Sequence, residues 1–484
     1  MFIELLEHLC YAIRKSRDRM IGRGEILKKE RQSRIISDLT VGSVSKTLIA
    51  FALPMLLANL LQNLYNMVDM IVVGQFVGST GLAAVSIGSD IVHMPNYIAM
   101  GFCNAGQVVI AQFVGAGDKK AVSRAVGTMF TVVMLGSLAF TAILFAGADT
   151  FLRLMNTPDD AWAMASVYCL TCYVGMFFMF GYCLVSAILR GMGDSRHPLV
   201  FIAIAAVTNL VLDLIFVAGF NWAAFGAALA TVIGQAVSFI ASIVFLYRRR
   251  ESFGFDFKLE SFKADRFVMK KLLSLGVPMA LQGFVINFSM LFVNSYIYAY
   301  GIVAAAVTGI GTKLTHVTSV VSMSLSACGG AMIGQCLGAG KKERVPRVVG
   351  FSMLVNMSFA SLLAAITIIF PRLVFGLFNT DPDVLDMAMI YLPCAVLGYY
   401  GFAIRSCFVA LINGTGHAKL NLFVGLLDGV VCRIGLALLF GITIGMGIQG
   451  FWYGHVLAGY SPSIVGGIYF ISGRWKTRKL LITE

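Results

Sequence analysis

The segment Gln112-Phe-Val-Gly115-Ala-Gly117-Asp-Lys119-Lys-Ala-Val-Ser-Arg124 occurs a second time, as Gln335-Cys-Leu-Gly338-Ala-Gly340-Lys-Lys342-Glu-Arg-Val-Pro-Arg347. The two copies begin 223 residues apart. The same offset aligns further pairs along the chain: Asn156-Thr157 with Asn379-Thr380, Tyr168 with Tyr391, and Gly191-Met-Gly193 with Gly414-Thr-Gly416. One offset along half of the chain indicates an internal duplication, so we expect two homologous halves.

The composition around this repeat is that of a membrane protein. Hydrophobic residues make up 58% of the chain and charged residues 13%, whereas a soluble domain has about 25% charged residues. The apolar residues form runs of about 18 or more, the length that spans a bilayer as a helix. About twelve spans are predicted, at residues 46–73, 84–113, 124–147, 162–189, 198–218, 226–247, 271–299, 304–336, 348–370, 387–412, 420–440 and 449–472.

The charges of alternate loops differ in sign. One set is rich in Lys and Arg, and the other contains mainly Asp: the first carries Lys119, Lys120, Arg124, Arg190, Arg196, Arg248, Lys271, Lys341, Lys342, Arg344, Arg347 and Lys419, the second Asp149, Asp159, Asp160, Asp381, Asp383 and Asp386. Basic loops stay in the cytoplasm. We therefore expect a multi-pass inner-membrane protein with both termini cytoplasmic. These basic loops account for the net charge of +13, so we expect no nucleic-acid partner.

These patterns predict an all-α polytopic membrane protein of two pseudo-symmetric six-helix lobes. Its predicted parts are a cytoplasmic N-terminal extension (1–40), an amino lobe (41–247), a cytoplasmic linker (248–271), a carboxy lobe (272–472) and a cytoplasmic tail (473–484). Both halves enter from the same side, so the symmetry axis lies along the membrane normal and a cavity is expected between the lobes. Pro54 and Pro278, near the start of each lobe, are predicted hinges.

Enzyme chemistry finds no support in the motifs. The stretch Gly334 to Lys342 resembles a phosphate-binding loop only faintly, because Gln335 stands where the first glycine is required and no strand precedes it. There is no H-E-x-x-H motif and no nucleophile elbow. We expect no enzymatic activity and no cofactor.

Ionisable residues inside apolar runs are costly and mark function. Asp69 lies near the end of the first predicted span, Asn209 and Asp213 share one face of the fifth, and Thr231 lies early in the sixth. Counted at 1.5 Å per residue, Asp69, Asp213 and Thr231 are each about 8–9 Å below the outer end of their helix. Carboxylate, amide and hydroxyl oxygens suit H⁺ or Na⁺, so we interpret the four residues as a cation-coupling site. The alternative is that the acids only join helices by hydrogen bonds.

The carboxy half has its own charges at membrane depth. Lys313, Arg405 and Asp428 lie inside predicted spans, where opposite charges are expected to pair. We predict that Asp428 neutralises Lys313 or Arg405. Direct contact of these residues with a transported substrate is the alternative.

The chain resembles the multidrug and toxic compound extrusion (MATE) family, a branch of the MOP superfamily, from about residue 38 onward. The resemblance is carried by Leu53-Pro54-Met55, Asn66-Met-Val-Asp69, the Gly-Ala-Gly loops, Leu189-Arg-Gly-Met-Gly-Asp194, Asn209 to Asp213 and Gly226-Ala-Ala-Leu-Ala-Thr231. It implies that Asp69, Asn209, Asp213 and Thr231 match the amino-lobe cation site of the DinF-like branch. The NorM-like branch places acids where Gln282 to Asn287 and Tyr399 to Phe402 stand here, so the resemblance does not extend to a carboxy-lobe cation site of that type.

The resemblance implies secondary active efflux of small amphipathic, often cationic solutes by exchange for H⁺ or Na⁺ with alternating access. We expect a monomer in the lipid bilayer. One alternative is a flippase for lipid-linked sugars in the same superfamily, for which Lys313 and Arg405 would bind a diphosphate. Another is a membrane scaffold or receptor without transport, against which the buried acids argue.

Overall fold

The computed structural model describes residues 36–155 and 157–482. Most of the predicted N-terminal extension, Asn156 of the repeat and the last two residues of the predicted tail lie outside these ranges.

The described residues form twelve long helical segments, which we number in chain order. The first lobe contains α1 (Val44–Phe76), α2 (Gly78–Gly115), α3 (Lys119–Ala146), α4 (Asp159–Gly191), α5 (Arg196–Gly219) and α6 (Ala223–Arg248). The second contains α7 (Arg266–Tyr298), α8 (Ile302–Gly338), α9 (Val345–Ile369), α10 (Pro382–Gly414), α11 (Ala418–Thr443) and α12, which is split into Ile448–Ala458 and Ser461–Ile471. The predicted all-α polytopic fold is confirmed.

Eleven of these helices, within the described part of the chain, are long and apolar enough to cross a membrane. The exception is α12, because a turn at Gly459 and Tyr460 divides it into two helices of 11 residues each. Pro462 lies in the first turn of the second half, where the missing N–H of proline costs nothing. The two halves together have the length of one span at about 1.5 Å per residue.

The two lobes use the same local features at matching positions. Gly117 and Gly340, which follow α2 and α8, both have a φ of +73°. This left-handed conformation ends a helix readily when the residue is glycine. Pro54 lies inside α1 and Pro278 inside α7, so the first helix of each lobe lacks one backbone hydrogen bond.

The lobes meet through the halves of α2 and α8 that end at the basic loops. A Cβ on Gly115 would lie 2.1 Å from the backbone oxygen of Gln335, and a Cβ on Gly338 would lie 2.1 Å from that of Gln112. The backbones are therefore in direct contact, which only glycine permits.

Two buried glutamines complete this closure in a pseudo-symmetric way. Nε2 of Gln112 donates to the backbone oxygen of Gly414 at 2.9 Å, and its Oε1 accepts from the Leu481 amide at 2.8 Å. Nε2 of Gln335 donates to the oxygen of Gly191 at 3.1 Å, and its Oε1 accepts from the Leu39 amide at 3.0 Å. Each glutamine thus bonds both to the opposite lobe and to a segment that lies outside the membrane helices. These four bonds hold the side of the basic loops closed.

On the opposite side the lobes part. Eleven residues make about three helical turns, so Asp90, Gly101 and Gln112 share one face of α2. Gly101 packs against Ala280 of the other lobe, whereas Asp90, one step further out, is exposed. Lys313 is likewise exposed on the face of α8 that carries Gln335. A cleft therefore opens between the lobes toward the acidic loops.

Candidate functional site

Three helices of the amino lobe bring the four predicted coupling residues together. Asp69 comes from α1, Asn209 and Asp213 from α5, and Thr231 from α6. The carboxyl groups of Asp69 and Asp213 lie close enough to interact with each other. Two ionised carboxylates at such close range repel each other, so one proton or one small cation between them would stabilise the pair.

The Asn209 amide links this pair to α6. With its nitrogen toward α5, it donates to Oδ2 of Asp213 at 3.1 Å, while its oxygen accepts from the backbone nitrogen and the hydroxyl of Thr231 at 3.2 and 3.3 Å. The opposite orientation leaves one bond to the Thr231 hydroxyl, also at 3.3 Å. We assign the first orientation because it satisfies both ends of the amide.

A change of helix geometry marks the acid on α5. The helix is α-helical up to Asp213 and continues as a π-helix from Leu214 to Gly219. The wide turns of a π-helix cost stability, so they are rare, and those that occur are frequently found at functional sites. On α6, a Cβ at Gly234 would lie 3.0 Å from the oxygen of Ala205 and 3.3 Å from Cβ of Asn209. Glycine there lets α6 approach α5 closely.

Several polar residues of this site escaped the sequence analysis. Tyr65 and Gln235 line a narrow crevice beside Asn209 and Thr231, and Gln62 lies about one helical turn before Tyr65 on α1. Gln62 and Tyr65 precede Asp69 by seven and four residues. This helical spacing within an apolar run is the signal that could have identified them.

Acceptor atoms remain unused at this site. Oδ1 of Asp69, Oδ1 of Asp213 and Oε1 of Gln235 are buried without a hydrogen-bond donor among the described residues. Buried acceptors of this kind normally find a partner, and a proton or a small cation supplies one.

A metal ion would have to use few charged ligands here. In the described ranges no group of three or more His, Cys, Asp or Glu residues could hold a metal ion. Na⁺ would therefore be bound by the two carboxylates and by neutral oxygens, for which the Asn209 amide would have to turn over.

The carboxy-lobe charges form a separate buried cluster. Oδ2 of Asp428 lies 2.8 Å from an Arg405 nitrogen, and its Oδ1 lies 2.9 Å from an Arg433 nitrogen. Asp428 is fully buried, and the Arg433 side chain is 5% exposed. The same arginine contacts His455 of α12 at 3.3 Å. Lys313 is elsewhere: it is exposed, and its Nζ lies 5.9 Å from the Phe378 ring.

Arg433 was not a predicted partner of Asp428, and the helix geometry explains why. The two residues are five positions apart, and residues 427–434 of α11 are π-helical. A π-helix aligns residues i and i+5 on one face, whereas an α-helix of the same sequence separates them by 140°.

Two homologous six-helix lobes, a cleft between them and two neighbouring buried acids inside one lobe are the features of a membrane transport protein. The MatE family model matches residues 54–215 and 278–439, one stretch in each lobe. The chain belongs to this family, as its resemblance predicted.

Related proteins carry names of the same kind. The chain is 28% identical over 448 residues to the probable multidrug resistance protein YpnP of Bacillus subtilis, which covers 92% of this chain and 98% of that protein. It is 28% identical over 429 residues to the multidrug resistance protein MdtK of Yersinia pseudotuberculosis, at 85% and 92% coverage. A multidrug resistance MATE family transporter of the MOP superfamily, solved in an outward-facing conformation, superposes with a TM-score of 0.83 at 23% identity, over 91% of this chain and 98% of that one.

Proposed function

We propose that the protein exports small amphipathic, often cationic solutes across the inner membrane in exchange for inward-moving H⁺ or Na⁺. The observation that carries the proposal is the pair of neighbouring buried acids Asp69 and Asp213, which lies inside the amino lobe and has carboxylate oxygens without a hydrogen-bond donor among the described residues. An acid pair of this kind can take up one cation and release it again. The exposed wall of α2 adds Met94 and Tyr97, side chains that adapt to apolar surfaces and attract cations.

Alternating access would couple the cation to the solute. In the present arrangement the side of the basic loops is closed, so the cleft can receive a cation from the opposite side. Uptake of the cation at Asp69 and Asp213 removes the repulsion between two ionised groups. Helix α1 then bends at Pro54, where a backbone hydrogen bond is missing, and narrows the cavity so that the solute leaves. Coupling requires that cation and solute favour different conformations.

Purified protein in liposomes tests this proposal. We expect efflux of an organic cation that depends on an imposed H⁺ or Na⁺ gradient and stops when the gradient is collapsed. Running both gradients separately identifies the coupling ion. Gradient-independent release of the organic cation would overturn the exchange mechanism.

A lipid-linked sugar flippase is the second candidate, because Lys313 is exposed on the wall of α8 without an ion-pair partner among the described residues. A cation in that position would suit a diphosphate. The same liposomes, loaded with a fluorescent lipid-linked sugar, separate the two functions. Flipping of the sugar lipid without transport of organic cations would favour this candidate.

We also propose that the basic loops and both termini are cytoplasmic and that a single chain is the working unit, since one chain supplies both walls of the cleft. A reporter that is active only in the cytoplasm is expected to give signal when fused after Arg248 and none when fused after Asp159. The physical reason is the retention of Lys and Arg on the cytoplasmic side. Signal from the second fusion would reverse the orientation.

A further inference from the structure

A basic pocket lies where the last membrane helix ends. After α12, residues Arg474–Thr477 form a short helix, and the chain then runs back across the lobe to Leu481. Between this tail and the loop joining α10 to α11 is a cavity of about 290 Å³. Its lining residues are His417, Leu420, Tyr469, Arg474, Arg478 and Lys479. Three of these are Lys or Arg, and no described Asp or Glu lines the cavity.

Further basic residues lie near the pocket in the described part of the chain. Lys271 of α7 is within electrostatic range of Lys270, Arg478 and Lys479. Burial, together with the charge of Arg478, lowers the pKa of His417 to about 4, so this histidine is neutral near pH 7. Its Nδ1 accepts from the Leu420 amide at 3.3 Å. The proton of the neutral ring is therefore on Nε2, which is a donor.

Two arginines of the pocket have donors without an acceptor among the described residues. Arg478 donates through Nη2 to the oxygen of Gly416 at 3.1 Å, but its Nε is buried with no acceptor among the described residues. A buried guanidinium normally has its donors bonded. The Arg474 side chain is exposed and forms no bond with the described residues. An anion bound in the cavity would supply acceptors to these two arginines.

We propose that this pocket binds the phosphate of a net anionic headgroup and that the bound phosphate fastens the tail. Basic pockets at the cytoplasmic end of membrane helices suit anionic lipid headgroups. The binding of a phosphate does not depend on the orientation of the protein in the membrane. Its assignment to a lipid headgroup rests on the proposed cytoplasmic location of the basic loops. The consequence for the tail is direct, because Arg478 holds Gly416 while Leu481 donates to Gln112. A phosphate on Arg478 keeps this tail seated on the closed side of the lobe interface.

Hydrogen exchange on the full-length protein in detergent tests the proposal. Cardiolipin is expected to slow exchange of the tail amides, Leu481 included, whereas phosphatidylcholine, which has no net charge, is not. The cardiolipin concentration that gives half of the protection measures the affinity. A basic residue near an anionic lipid contributes about fivefold in affinity, so Arg474→Gln should weaken binding about fivefold and Arg474→Gln/Arg478→Gln about 25-fold. The single variant keeps the bond of Arg478 to Gly416, and the tail therefore stays in its position.

The matched control is Lys119→Gln/Lys120→Gln, which removes two exposed charges from a basic loop of the other lobe and should leave binding unchanged. Inorganic phosphate is the second probe. Protection by millimolar phosphate as well as by cardiolipin assigns the site to soluble phosphates, and protection by cardiolipin alone assigns it to a lipid headgroup. Equal protection by phosphatidylcholine, or unchanged cardiolipin affinity in both arginine variants, would overturn the proposal.

Discussion

Replacing Asp69 by asparagine is expected to abolish gradient-driven efflux and leave the protein folded. Asparagine has the size of aspartate and can donate to Asp213, so the contact between α1 and α5 survives. It cannot bind and release a proton or neutralise Na⁺, so the site no longer changes charge during the cycle. In liposomes, efflux of an organic cation under an imposed gradient should fall to the level of protein-free liposomes. Equilibrium binding of the same solute should persist, because the cleft is unchanged.

Two further variants sharpen this test. Asp213→Asn should weaken the dependence of efflux on the cation, because the pair is reduced to one acid. Lys342→Gln removes an exposed charge from a basic loop and should leave transport unchanged. Normal gradient-dependent efflux by Asp69→Asn would refute the assignment and move the coupling site to the carboxy-lobe charges.

The architecture and the amino-lobe site could be predicted because both rest on strong local patterns. Apolar runs of bilayer length and one offset of 223 residues between Gln112 and Gln335 lead directly to two lobes of membrane helices. Asp69 and Asp213 are conspicuous because charge inside such runs is rare. Helix α12 is interrupted at Gly459, so neither of its halves is long enough to span a membrane. The apolar residues on both sides of the interruption still form one run in the sequence.

The closed side of the interface could not be predicted in the same way. Gln112 and Gln335 are polar residues near helix ends, where polar residues are common. Their partners, Leu481 and Leu39, lie about 370 and 300 positions away and bond through backbone atoms, which any residue supplies. Arg433 was missed as a partner of Asp428 for another reason. The two residues are five positions apart and meet only because α11 is π-helical there, whereas a sequence-based prediction assumes the 3.6 residues per turn of an α-helix.

Removing the charge of Asp428 is expected to destabilise the protein more than removing either of its arginines. Asp428→Asn leaves Arg405 and Arg433 close together in a buried site, where each had its charge compensated by the same carboxylate. Breaking a buried ion pair from one side costs about 3–5 kcal/mol of unfolding free energy. Arg433→Gln should cost less, because Asp428 keeps its contact with Arg405 at 2.8 Å.

The double variant Asp428→Asn/Arg433→Gln decides whether this cluster acts as a unit. It leaves a single cation, Arg405, whose side chain is 16% exposed and so retains some access to polar surroundings. We therefore expect the double variant to be more stable than Asp428→Asn alone, a coupling that independent residues do not show. The midpoint of thermal unfolding in detergent, followed by the loss of the monodisperse protein on size-exclusion chromatography, measures the order. A double variant at least as unstable as the sum of its two single changes would show that Asp428 acts through other contacts than its arginines.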